Sequence, residues 1–157
     1  SREGISELIQ NAYNSKDIPW VCSALTAMGR SADESWSAQI LEKLRNPDPR
    51  VQVCAVRSAG ELELAEARQP LIELVEDIEG LESEVVDAVI WSLSQIGGPG
   101  VRDAIEALED ALGEGEQSDF FDQVMENLDF SEQSLNLDLY DFDVSDGLVH
   151  GEPLDDE

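Results

Sequence analysis

Three stretches of this chain read as copies of one another: DIPWVCSALTAMG (residues 17–29), VQVCAVRSAGELE (51–63) and VVDAVIWSLSQIG (85–97), each 34 residues after the last and aligned without a gap. Val21, Ala55 and Val89 share a column, as do Cys22, Val56 and Ile90. Ala24, Ser58 and Ser92 form a column of small residues, and Leu25, Ala59, Leu93 and then Met28, Leu62, Ile96 complete the set. Columns at i, i+1, i+3, i+4 and i+7 are one wide face of an α-helix. The small column has a steric meaning, because packed helices approach closely only where the side chains between them are short.

A second helix follows each copy. Residues 36–44 present Ile40, Leu41 and Leu44; residues 71–78 present Leu71, Ile72, Val75 and Ile78; residues 101–112 present Val101, Ile105, Leu108 and Leu112. The punctuation agrees. Gly29 and Gly97 fall where the residue after a helix belongs, and Ser31 with Glu34 has capping-box spacing. Pro49, Pro70 and Pro99 stand at expected helix starts, where a missing N–H costs little. Asn46-Pro47-Asp48-Pro49 breaks the chain between units.

These copies resemble the first helices of HEAT-like repeats, of the short type first recognised in phycobilisome lyases. The third copy departs little from that pattern. The second carries Ala59 and Glu63 where Leu and Gly are usual, and the first carries Asp17, Cys22 and Thr26 at usual Val, Ala and Gly positions. The resemblance implies an all-α fold, a right-handed α-solenoid of stacked antiparallel helix pairs with an acidic C-terminal tail. Residues 1–130 form the repeat solenoid: a half repeat at 4–14 (Ile5, Leu8, Ile9, Ala12), repeats at about 17–45, 49–79 and 83–112, and a capping helix at about 118–129. The half repeat suggests a piece of a longer solenoid. The capping helix carries Phe120, Phe121, Val124, Met125 and Leu128 among acids and lacks the small column, as suits a terminal unit with a polar outer face.

Charge sets the class of partner. The chain of 157 residues holds 36 Asp and Glu against 9 Lys and Arg, for a net charge of −27. No Lys or Arg follows Arg102, and residues 103–157 hold 19 acids. Such a surface repels nucleic-acid phosphate and anionic membranes and favours a protein with a basic or mixed-charge surface. No apolar run approaches the roughly 20 residues of a membrane span. Cys22 and Cys54 read as buried free thiols, with no zinc spacing and no disulfide framework, so a cytoplasmic setting is expected. Catalysis and cofactor binding are not expected. The single histidine, His150, has no nucleophile in context, and no phosphate-binding glycine motif occurs. Trp20, Trp36 and Trp91 are expected to be buried between layers; an exposed one would be an interface anchor.

In HEAT-like arrays the second helices line the concave face. That places Glu42, Glu73, Glu76, Asp77, Asp103, Glu106 and Asp110 on a partner-binding ridge, and implies a scaffold or adaptor without catalytic activity of its own. The alternative is an accessory subunit of an enzyme, such as a bilin lyase-type chaperone. From Ser131 onward Leu135, Leu137 and Leu139, then Tyr140, Phe142 and Val144, alternate with polar residues at the period of a strand. Residues 131–157 thus read as an extended or disordered acidic tail, with Leu137, Leu139, Tyr140 and Phe142 as a docking motif. A calcium site is the weakest reading. Asp141, Asp143, Ser145 and Glu152 stand at positions one, three, five and twelve of a calcium loop, but Asp146 stands where the turn needs Gly.

Overall fold

A computed structural model describes residues 1–112, 115 and 117–150 of the chain, residues 138–150 by backbone alone. The regular structure of the described residues is all helix, with no strand. They form α1 (Arg2–Tyr13), α2 (Ile18–Arg30), α3 (Ser37–Lys43), α4 (Pro49–Glu61), α5 (Arg68–Glu76), α6 (Ser83–Ile96), α7 (Val101–Leu112) and α8 (Ser118–His150). Three short 3-10 helices, Glu34–Trp36, Ala65–Ala67 and Ile78–Gly80, sit between them.

Local chemistry starts α2 and α4. The Asp17 carboxylate accepts the Trp20 N–H at 3.3 Å at the head of α2, and the Asp48 carboxylate accepts the Arg50 N–H at 2.9 Å at the head of α4. Each such cap contributes about 1 kcal/mol. Pro49 is the first residue of α4, and Pro19 lies in the first turn of α2. The helices then build two layers. α2 packs on α4, α4 on α6 and α6 on α8, while α1, α3, α5 and α7 pack against that row. One hydrophobic core runs through the stack, from Tyr13 and Leu25 through Val56, Leu71 and Leu93 to Phe121 and Leu128.

The small column does what its chemistry suggests, and more. The Ser58 hydroxyl donates to the Leu25 carbonyl at 2.6 Å, and the Ser92 hydroxyl donates to the Val56 carbonyl at 2.8 Å. Four residues beyond each carbonyl stands a glycine. A Cβ on Gly29 would lie 2.7 Å from Ser58 Oγ, and one on Gly60 would lie 2.6 Å from Ser92 Oγ. Successive helices therefore meet backbone to side chain, with a hydroxyl satisfying itself on the neighbour's carbonyl.

This contact corrects the spacing of the first copy. The N-caps Asp17, Asp48 and Glu82, the glycines Gly29 and Gly60, and the left-handed residues Ala32 (φ 57°), Glu63 (φ 51°) and Gly97 (φ 63°) are structural equivalents. They are 31 and then 34 residues apart. Ala27, not Ala24, is thus the partner of Ser58 and Ser92. A three-residue slip along a helix returns nearly the same apolar face, so the sequence pattern is blind to it. Gly29 accordingly lies inside α2, not after it, and Ser31 is the C-cap of α2, its hydroxyl donating to the Met28 carbonyl at 2.6 Å. No capping box forms; the Asp33 carboxylate accepts the Ser35 N–H instead, at 2.9 Å.

The extended reading of residues 131–150 is also corrected, since their backbone continues α8. Phe121, Val124 and Leu128 are buried, and the same three-and-four spacing leads on to Ser131 and Leu135, which lie against Gly97. Alternate leucines such as Leu135 and Leu139 are also i and i+4, so they suit a helix as well as a strand. Ser131 supplies the small residue that the last helix was expected to lack. Its hydroxyl donates to the Ser94 carbonyl at 2.7 Å. Arg102 of α7 ties α8 down, at 2.6 Å from Asp129 and 2.5 Å from Glu132.

Candidate interaction surface

All seven ridge acids, Glu42, Glu73, Glu76, Asp77, Asp103, Glu106 and Asp110, are exposed on the α3–α5–α7 side. They are not equivalent. The Tyr13 hydroxyl of α1 lies 3.0 Å from the Gln39 carbonyl and donates to the Glu42 carboxylate. Burial first, and then that carboxylate, push the tyrosine well above its ordinary pKa. Lys43 also lies near Glu42, and its ammonium sits 4.8 Å over the Tyr13 ring. Glu73 pairs with Arg45 at 2.9 Å. Glu42 and Glu73 therefore link neighbouring helices of the layer.

Glu76, Asp77, Asp103, Glu106 and Asp110 have no ion-pair partner among the described residues, which include every Lys and Arg of the chain. Five of the nine bases, Lys43, Arg45, Arg50, Arg57 and Arg102, are engaged with acids elsewhere. Of the seven ridge acids, those left unpaired thus lie at the end of α5, just beyond it, and on α7.

Between those two helices the layer opens. α5 ends at Glu76, where Asp77 leaves the helix (φ −125°, ψ 59°), while α7 runs on to Leu112. The gap is a groove of about 260 Å³ lined by Val75 and Ile78 on one wall and Ala104, Ala107, Leu108 and Ala111 on the other, with Glu76 at its edge. Residues 104, 107, 108 and 111 are one stripe of α7, and Asp103, Glu106 and Asp110 are the stripe beside it.

The tryptophans divide. Trp36 is buried as expected, but Trp20 is 57% exposed and Trp91 36% exposed. Trp91 stands two residues after Val89, on the side of α6 opposite the core columns, and Trp20 stands one residue before Val21, just outside them, which accounts for their exposure. Cys22 and Cys54 are free but only half-buried. The Cys22 thiol lies 3.4 Å from the Arg50 carbonyl, on the turn of α4 that holds Cys54. Burial first, then the neighbouring Cys54 thiol, push Cys22 up to about 11.

Leu137 is exposed on α8. The side chains of Leu139, Tyr140 and Phe142, like those of the calcium-loop candidates Asp141, Asp143 and Ser145, lie outside the described residues, as does Glu152 altogether. Among the described residues no group of three or more His, Cys, Asp or Glu could hold a metal, and no helix is long and apolar enough to cross a membrane.

Helix pairs thus stack on a continuous core with a recurring small-residue contact. Residues 37–128, more than half of the chain, match HEAT repeats. The chain belongs to the HEAT repeat family. The match is to HEAT repeats as a class, which covers the second and third copies and most of the capping helix; the first copy, slipped by three residues, lies outside it. No curated protein matches the chain.

Proposed function

We propose that this HEAT repeat chain is a protein-interaction scaffold or adaptor, with no catalytic activity of its own, which engages a basic or mixed-charge protein through the acidic face of α5 and α7. HEAT repeats commonly serve as interaction scaffolds. The observation that carries the reading is the set of exposed acids Glu76, Asp77, Asp103, Glu106 and Asp110, which no Lys or Arg of the chain neutralises. In this reading the stack is a right-handed solenoid, and the layer of α1, α3, α5 and α7 is its concave side. Fixed charge of one sign on a concave wall speeds the encounter with an oppositely charged partner and falls off with salt. The exposed Trp20 and Trp91, on the other layer and separated by α4, are two individual apolar anchors.

The test is capture of partners from an extract of the source organism with the natural chain and with a variant carrying Glu76→Lys, Asp103→Lys, Glu106→Lys and Asp110→Lys. All four side chains are exposed, so the fold should survive, which circular dichroism checks. Partners that leave the variant, and that leave the natural chain as salt is raised, are expected. Identical partner sets for both chains would remove the acidic face from the function.

A further inference from the structure

The acidic face has a feature that charge alone does not call for: an apolar groove at its centre. We propose that the groove between α5 and α7 is the anchor pocket for one apolar side chain of a Lys- or Arg-rich peptide segment. This rests on the acidic-face reading above and adds to it a specific contact.

Three observations converge. The walls are the carbon surfaces of Val75, Ile78, Ala104, Ala107, Leu108 and Ala111, and the volume is about 260 Å³. That is below the roughly 300–1,000 Å³ of small-molecule and cofactor sites, and its scale is that of a side chain. The rim is anionic: Glu76 stands at the edge, Asp77 and Glu79 follow it, and Asp103, Glu106 and Asp110 flank the α7 wall. No base lines the groove. An apolar ligand with acidic flanks would meet repulsion there, and one with basic flanks finds complementary charge. The opening is built into the backbone, because α5 ends at Glu76, Asp77 turns out of the helix, and alanines keep the opposite wall low. A side chain of Leu or Phe size can enter without displacing anything. The buried apolar surface would set affinity, and the rim would set orientation and rate.

Three synthetic peptides of equal length separate the contributions: one Lys-rich with a central Phe, the same peptide with Ser for Phe, and one with the Phe amid Glu. Each is titrated against the full chain by fluorescence anisotropy at low and high salt. The Lys/Phe peptide should bind about 10- to 100-fold tighter than the Lys/Ser peptide, the difference that burying one large apolar side chain supplies. The Glu/Phe peptide should bind least. Ala107→Trp fills the groove from an exposed position and should remove the gain from Phe while leaving the Lys/Ser affinity unchanged. Methyl shifts at Val75, Ile78 and Leu108 should appear only with the Phe peptides. If the two Lys peptides bind alike and Ala107→Trp changes neither, the anchor pocket is overturned and the acidic face stands, provided Glu76→Lys with Asp110→Lys weakens both. If neither Lys peptide binds at low salt, or the Glu/Phe peptide binds as well as its Lys counterpart, the pocket and the acidic-face reading fall together.

Discussion

Gly60→Ala is the sharpest probe of how these helices meet. On propensity alone, alanine in place of a helix-interior glycine stabilises by about 1 kcal/mol. The structure reverses the sign. The added methyl would stand 2.6 Å from Ser92 Oγ and 2.8 Å from Ser92 Cβ, and would also strike the Gln95 side-chain oxygen. Ser92 is completely buried and its hydroxyl is held on the Val56 carbonyl, so it has nowhere to turn. Overpacking of this kind costs about 1–3 kcal/mol, and displacing the buried hydroxyl adds about 1 kcal/mol. Against the gain in propensity, the net loss comes to about 1–3 kcal/mol. For a chain of this size that lowers the midpoint by roughly 3–9 °C, at about 3 °C per kcal/mol. The assay is thermal unfolding followed by circular dichroism. Gly80→Ala is the control, since a Cβ there meets nothing within 4 Å. Gly60→Ala with Ser92→Gly should recover part of the loss, the two changes being coupled through one contact. A Gly60→Ala chain as stable as the natural one, or more so, would refute the close approach of α4 and α6.

Alkaline pH should loosen the stack. Cys22, pushed up to about 11 from an ordinary 9.0, and Tyr13, raised above its ordinary 10.0, both hold their protons more tightly folded than unfolded. Their contribution is complete below about pH 9 and is lost as pH climbs through the folded values. Urea unfolding between pH 8 and about 11 should show a falling midpoint, with a shallower fall in Cys22→Ser; a flat or rising midpoint would contradict the burial of these groups. Acrylamide quenching of single-Trp variants should rank Trp20 above Trp91 and both above Trp36, following their exposures of 57%, 36% and 9%; a protected Trp20 would show that its ring is covered in solution.

Much of this architecture was written in the side-chain pattern. The range 101–112 is the one that α7 occupies, and the buried serines were legible as a small column. The exact register was not. Apolar faces repeat every three to four residues, so they fix which side of a helix is inward but not how far one helix slides past another; the Ser58–Leu25 and Ser92–Val56 hydrogen bonds settle that. The extended reading of residues 131–150 fails for a related reason. Leu135, Leu137 and Leu139 satisfy the period of a strand, and only the continuation of the Phe121–Val124–Leu128 seam through Ser131 reveals the helix. At the candidate site, the acids were easy to name. Which of them stay unpaired was not, because Tyr13 and Arg45 reach Glu42 and Glu73 from 28 or 29 residues away in sequence. The groove depends on where α5 stops, which no single residue announces.

The units differ in length, 31 residues in one case and 34 in the next, yet the N-cap positions, the left-handed ends and, from α4 on, the serine hydroxyl contacts stay in step. The surplus is confined to the stretch from α5 to the start of α6, where α5 has 9 residues to the 7 of α3 and a 3-10 turn follows. For protein engineering this marks a splice point. A tag or reporter loop inserted at Gly80 would hang from a junction that already carries extra chain, leaving the packed row of α2, α4, α6 and α8 as it was.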